Sequence, residues 1–139
     1  MKKLLLALLS LMILSGCSAD ETMKINAPWV RPGKIDGNSA AYFVIENNTK
    51  MDDRLVGAEA SIAETSEMHM TKMDADNKMM MMPQEFIALP SGGKVNFEPG
   101  GYHVMLLNLQ KDLQVGEMIK LTLSFEKAGK IELDVPVKE

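Results

Sequence analysis

Short apolar segments separated by turn residues run through most of this chain, and they restrict its fold more than any other feature of the sequence. Single and paired glycines mark the turns between several of these segments. No stretch shows sustained helical periodicity, so the segments are predicted to be strands of an all-β sandwich or barrel. The predicted strands cover residues 24–31, 40–45, 54–60, 63–70, 79–82, 86–89, 94–97, 103–109, 118–125 and 131–137.

Three of these segments also indicate where their strands lie in a sheet. Apolar and polar residues alternate along Lys120–Phe125, which is typical of a strand with one face in the core and one in water. Ala40–Ile45 has too few polar positions for a half-exposed strand, so we expect it to be central. Pro28 lacks a backbone N–H and therefore favours an edge position for the first strand.

The first sixteen residues have the pattern of a secretory signal peptide. Met1–Lys3 is basic, Leu4–Leu14 is almost entirely apolar, and small residues follow before Cys17. The apolar run is too short for a membrane span, which needs about 20 residues. The position of Cys17 resembles the lipobox of bacterial lipoproteins, in which the signal is cut before the cysteine and that residue is lipidated.

The sequence therefore predicts a signal peptide over 1–16, a lipidated tether over 17–22 and a single domain over 23–139. Cys17 is the only cysteine, so it has no disulfide partner within the chain. We expect a membrane-anchored lipoprotein outside the cytoplasm, in the periplasm if the cell is Gram-negative. In such a cell Ser18 resembles an outer-membrane sorting signal. Removal of the leader leaves 13 basic and 19 acidic residues, so nucleic acid is not an expected partner.

Histidine and methionine are concentrated in one part of the chain. Both histidines and eight of the 13 methionines lie between Glu67 and Met105. Imidazole and thioether donors without a thiolate suit a soft ion such as Cu(I). Isolated methionines such as Met51 and Met118 are interpreted as core packing. The cluster from Met68 to Met82 is interrupted by charged and polar residues, so many of its sulfur atoms should lie near solvent.

Strand geometry narrows the candidate ligands. His103 and Met105 are two residues apart and should share one face of a strand, which Gly100 and Gly101 precede as a tight turn. A turn at 74–77 between two short strands would form a hairpin and bring a second set of donors near this pair. That set exceeds what one tetrahedral site needs: His69, Met70, Met73, Met79, Met80, Met81 and Met82.

The order and spacing of several segments resemble the periplasmic copper chaperones of the PCu(A)C (PCuAC) family. In that family Cu(I) is bound by a histidine or methionine, by a methionine after ten intervening residues, and by a His-x-Met pair. The chain has twenty-one residues between Met81 and His103, with Met105 completing the pair. Further matching segments extend over nearly the whole chain after the leader: Ala27–Arg31, Ala40–Tyr42, Asp53–Gly57, Ser66–His69, Leu89–Gly93, Glu98–Leu106 and Leu121–Phe125.

The resemblance implies a cupredoxin-like Greek-key β-sandwich that binds Cu(I) through His69, Met81, His103 and Met105. It implies a carrier, not an enzyme, which delivers copper to the dinuclear centre of cytochrome c oxidase or to its assembly factor. One position departs from the family, because Met70 and not His69 stands at the ten-residue spacing before Met81. Neighbouring strand residues face opposite ways, so both cannot easily serve. We expect His69, with Met70 as the alternative.

The remaining methionines allow a further hypothesis, in which Met70, Met73, Met79, Met80 and Met82 bind a second copper ion or collect copper. Other functions fit the sequence less well. A blue-copper electron carrier needs a cysteine thiolate, and the single cysteine is far from the histidines. No Gly-x-Ser-x-Gly element of a hydrolase is present. General copper buffering or tolerance, and a non-metal binding or adhesion sandwich, are the alternatives.

Overall fold

The computed structural model describes residues 21–139, and within this range every predicted strand is present and no helix occurs. The strands are β1 (Met23–Val30), β2 (Ser39–Asn47), β3 (Asp53–Ala60), β4 (Ala63–Met73), β5 (Met79–Pro83), β6 (Ile87–Leu89), β7 (Lys94–Phe97), β8 (Tyr102–Leu109), β9 (Met118–Phe125) and β10 (Gly129–Pro136). The prediction of an all-β chain is confirmed.

The strands form two sheets. One has six strands in the order β1-β2-β7-β8-β4-β5, and the other has four in the order β10-β9-β3-β6. β1 lies at an edge, as Pro28 predicted, and its pairing with β2 shifts register between Asn26 and Trp29. β2 lies inside the sheet, with β1 on one side and β7 and β8 on the other. Its central position explains why residues on both of its faces are buried.

The core lies between the two sheets and is built from alternate residues of most strands. β9 illustrates the pattern, because Leu121, Leu123 and Phe125 are buried and the residues between them are not. Burying one such side chain contributes about 1.5–3 kcal/mol. The largest fully buried side chains are Phe43, Ile45, Leu55, Leu89, Leu106, Leu109, Leu121, Leu123, Val30, Val104, Val135 and Val137.

Two isolated methionines differ from the prediction. Met51 and Met118 were expected to fill the core, but they are 59% and 57% exposed. Met51 follows β2 in a loop, and Met118 begins β9 on the face opposite Ile119, which is the side chain that enters the core. Burial of a single methionine thus depends on which face its strand turns inward, and composition does not determine that.

β4 and β5 form an antiparallel hairpin that extends beyond the start of β8. The Asp74 carboxylate closes its turn by accepting hydrogen bonds from the backbone N–H groups of Asp76 and Lys78. Asn77 adopts a φ of 59°, a left-handed conformation that asparagine tolerates better than most residues. β5 is the free edge of the six-stranded sheet, and all of its residues are exposed.

The signal peptide predicted over 1–16 and the lipidation predicted at Cys17 lie outside the described residues. Of the tether predicted over 17–22, the structure describes Glu21 and Thr22. From residue 21 onward, the chain has no helix of the length and hydropathy that a membrane crossing requires.

Candidate metal centre

The candidate ligands lie on the outer face of the six-stranded sheet, which is the face turned away from the core. In the β4–β8 pair His69 lies directly opposite His103, and Glu67 lies opposite Met105. In the hairpin Thr71 lies opposite Met81. Residues directly opposite one another in antiparallel strands share a face. Three strands therefore bring His69, Met81, His103 and Met105 to one side of the sheet.

A cavity of about 330 Å³ opens on this face. Met81, His103 and Met105 line it, together with Met79. The remaining lining comes from the chain around β2 and from the turn before β8: Arg31, Pro32, Asn38, Ser39, Ala40, Tyr42, Thr71, Pro99 and Gly100. The cavity therefore combines an imidazole, three thioethers and mostly uncharged walls.

His69 is held by a neighbour on its own strand. Its Nε2 lies 2.7 Å from Glu67 Oε2, and residues two apart on a strand share a face. A carboxylate accepts hydrogen bonds, so this contact fixes the proton of the neutral ring on Nε2 and leaves a lone pair on Nδ1. Nδ1 is buried and has no hydrogen-bond partner. A carboxylate behind a histidine is a common way to orient a metal ligand.

His103 has the same arrangement with the two nitrogen atoms exchanged. Its Nδ1 donates to the carbonyl oxygen of Gly101 at 3.2 Å, which leaves the lone pair on Nε2. Nε2 is buried without a partner, and the residue is only 3% exposed. Within residues 21–139, His69 Nδ1 and His103 Nε2 are the only buried side-chain nitrogen or oxygen atoms that lack a hydrogen bond. The two rings meet edge to face, with centroids 5.7 Å apart.

Electrostatics keep His103 neutral. Burial lowers its pKa below the usual value of 6.5, and Coulomb interactions with the His69 ring and the Arg31 guanidinium lower it further. The hydrogen bond to the Gly101 carbonyl acts in the opposite direction but does not reverse the shift. A neutral imidazole is the form that coordinates a metal, so near pH 7 His103 offers Nε2 as a donor without first losing a proton.

Two aromatic side chains from β1 and β2 lie in a row that leads to His103. The Tyr42 ring lies 6.4 Å from that of His103 and 4.6 Å from that of Trp29. The Arg31 guanidinium lies over Tyr42, 5.4 Å from the ring centre. Sequence reasoning missed these residues, because they reach His103 only through the pairing of β1, β2 and β8. It also missed Glu67, although its position two residues before His69 could have indicated it.

The candidate methionines divide between the two faces of the hairpin. Met70 lies opposite Tyr102 and Met82, on the face away from the cavity, and Met80 shares that face. Met73 lies opposite Met79, on the same face as Met81. As predicted, the hairpin methionines from Met73 to Met82 are exposed. The register places His69, and not its neighbour Met70, on the side of His103 and Met105.

Comparison with known proteins adds three findings. The family model described as "Putative lipoprotein LpqE-like" matches residues 23–137. The "Putative lipoprotein Lxx21020" of Leifsonia xyli subsp. xyli is 28% identical over 117 residues, which cover 84% of this chain and 70% of that protein. Two solved structures, 30% and 31% identical to this chain, have the same fold.

The first of these structures is the copper-bound PCuAC domain from PmoF2. It superposes with a TM-score of 0.70 over 84% of this chain and 92% of that one. The second is the apo PCuAC domain from PmoF1, with a TM-score of 0.69 over 84% of this chain and 93% of that one. The cupredoxin-like sandwich predicted from the sequence is thereby confirmed.

Proposed function

Because the chain belongs to the LpqE-like family, whose match covers residues 23–137, we propose that it is a Cu(I) carrier that binds its ion in the cavity beside β8. The resemblance to PCuAC domains that the sequence motifs predicted is confirmed by the shared fold. One observation carries the proposal: His69 Nδ1 and His103 Nε2 are buried without a hydrogen-bond partner. An unpaired buried polar group costs free energy, and a metal ion bound to both lone pairs would offset that cost.

The donor chemistry selects the ion. His69 and His103 supply neutral nitrogens, and Met81 and Met105 supply neutral thioether sulfurs on the same face. Soft sulfur donors favour Cu(I) over harder divalent ions such as Zn(II). Thioethers carry no acidic proton, so only the histidines make binding depend on pH. Met70 faces away from the cavity, which supports His69 as the first ligand.

The residues in and around the site have different roles in such a carrier. Glu67 and the Gly101 carbonyl fix the two imidazoles in the orientation and tautomer that leave Nδ1 of His69 and Nε2 of His103 free. The ring of Tyr42 lies beside His103 and limits its contact with water. Met81 lies on the exposed edge strand, where an incoming protein could displace it first.

The proposed delivery of the ion rests on the resemblance to the PCuAC family. The carrier would hand Cu(I) to the dinuclear copper centre of cytochrome c oxidase or to an assembly factor of that enzyme. With no thiolate among the proposed ligands, the carrier would release the ion to a cysteine-bearing acceptor. Lipidation at Cys17 would hold the protein on a membrane outside the cytoplasm, in the periplasm of a Gram-negative cell.

The proposal is tested by titrating the mature protein with Cu(I) and then mixing the loaded protein with a soluble dinuclear-copper domain of cytochrome c oxidase. We expect one tightly bound ion and its transfer to that domain. Tight binding without transfer to the domain or to an assembly factor would favour copper buffering or tolerance. Absence of Cu(I) binding at micromolar concentration would refute the proposal and favour a binding or adhesion sandwich.

A further inference from the structure

The tip of the β4–β5 hairpin carries two methionines that the proposed site does not use. Met73 and Met79 lie directly opposite each other, and they share the outer face with Met81. Side chains directly opposite in an antiparallel pair have Cβ atoms about 4.5–5.5 Å apart, close enough for both sulfurs to contact one ion. Met79 also lines the cavity that contains Met81, His103 and Met105. The tip pair is therefore continuous with the proposed site.

These side chains have no packing role that explains them. Met73 and Met79 are 62% and 66% exposed, and β5 has no neighbour on its outer edge. Large apolar side chains in water do not stabilise the fold, and exposed thioethers are open to oxidation. From Met79 through Met81 to His103, the outer face passes from exposed thioethers to a buried imidazole.

We propose that Met73 and Met79 form an entry site that captures Cu(I) at the tip of the hairpin and passes it along the outer face to Met81, and then to His69 and His103. This inference rests on the proposed function, since it assigns the path by which the cavity is loaded. The entry site would take Cu(I) from a small complex whose ligands exchange readily.

Each step is an exchange of neutral ligands. A sulfur lone pair of Met81 forms a bond to the ion as the bond from Met73 or Met79 breaks, and the copper stays Cu(I) throughout. No proton or electron moves between thioethers, because they carry no acidic hydrogen. Two exposed thioethers bind less firmly than a site that adds two fixed imidazoles, so transfer runs toward the cavity.

The opposite face of the hairpin supplies a matched control. Met80 and Met82 belong to the same strand and are also exposed, but they point away from the cavity. We therefore expect Met80 and Met82 to take no part in loading.

The test measures how fast the protein takes Cu(I) from the coloured complex of Cu(I) with bicinchoninate, by stopped-flow absorbance. Three proteins are compared: wild type, Met73→Leu/Met79→Leu and Met80→Leu/Met82→Leu. Leucine keeps apolar volume and removes the sulfur. We expect the first variant to load roughly tenfold more slowly, within the range over which mutants of one interface change association rates, and the second to load like wild type.

Equilibrium binding separates this inference from the proposed function. Both variants keep His69, Met81, His103 and Met105, so their final Cu(I) affinity should match that of wild type. Equal loading rates for wild type and Met73→Leu/Met79→Leu would overturn the entry site and leave the carrier function intact. Equal slowing in both variants would also overturn it, because the effect would then not follow the outer face. A wild type that binds no Cu(I) at micromolar concentration, with no chelator competing, would refute both proposals.

Discussion

β8 and β5 both carry candidate copper ligands, but their surroundings differ in nearly every respect. β8 lies inside the six-stranded sheet, and its His103 is buried, hydrogen-bonded to Gly101 and covered by Tyr42. β5 is a free edge with exposed methionines. Fixed, desolvated donors raise the affinity for an ion because they lose little conformational freedom on binding. Exposed donors are instead accessible to an ion in solution. If the proposed function holds, one cavity divides these two tasks between two strands.

The largest expected effect comes from removing an imidazole on the buried side. His103→Ala should weaken Cu(I) binding by at least about 100-fold, because changes behind a metal ligand already cost 10–100-fold. Competition with a Cu(I) chelator measures the affinity, and circular dichroism checks the fold. Met80→Ala, on the far face of β5, is the control and should bind like wild type. A comparable loss of Cu(I) affinity in both variants would show that β8 and β5 do not differ in the way proposed.

A smaller effect is expected when the support behind a ligand is changed. Glu67→Gln keeps a hydrogen-bond acceptor for His69 Nε2 but removes the negative charge that lies 2.7 Å from it. The Cu(I) affinity should fall by about tenfold, the low end for such changes. Glu64→Gln removes the same charge elsewhere on β4 and should leave the affinity unchanged. If Glu67→Gln also leaves it unchanged, the carboxylate does not orient the ligand.

Acid should destabilise the folded protein even without copper, because His103 is buried. Burial lowers the pKa of His103 in the folded protein, whereas its pKa in the unfolded chain is about 6.5. Below about pH 6.5 the unfolded state therefore binds a proton that the folded state does not. The free energy of unfolding should fall as the pH is lowered through this window, by at most about 1.4 kcal/mol per pH unit from this group.

Urea unfolding of the apo protein between pH 7.5 and 5.5 measures this dependence. His103→Gln, which cannot be protonated, should show a shallower decline than wild type. An equally steep decline in both proteins would mean that other groups cause it.

The smallest effect is expected on the exposed side. Met80→Ser and Met82→Ser remove side chains that lie outside the core, so each should change the free energy of unfolding by no more than about 0.5 kcal/mol. Thermal unfolding followed by circular dichroism measures the change. A loss of several kcal/mol would show that β5 packs more firmly than its exposure indicates.

Local patterns were sufficient to predict the strands and part of the site. Alternation along Lys120–Phe125 and the turn at 74–77 depend on neighbouring residues, and both predictions are confirmed. The shared face of His103 and Met105 follows from the period of two in a strand.

Other features depend on which strands pair, and the sequence does not reveal that directly. The sequence does not show whether His69 or Met70 shares a face with His103, and the register of β4 against β8 places His69 there. Tyr42 reaches His103 from a strand more than fifty residues earlier in the chain. The exposure of Met51 and Met118 was predicted wrongly for the same reason, since burial of a single side chain is a tertiary property.

X-ray absorption of the Cu(I)-loaded protein tests the central claim most directly, because it counts nitrogen and sulfur neighbours of the ion. The account predicts two nitrogen and two sulfur scatterers in wild type, from His69, His103, Met81 and Met105. His69→Ala should lose one nitrogen, and Met70→Ala should leave the spectrum unchanged. An unchanged nitrogen count in His69→Ala, together with a lost sulfur in Met70→Ala, would contradict the proposed site.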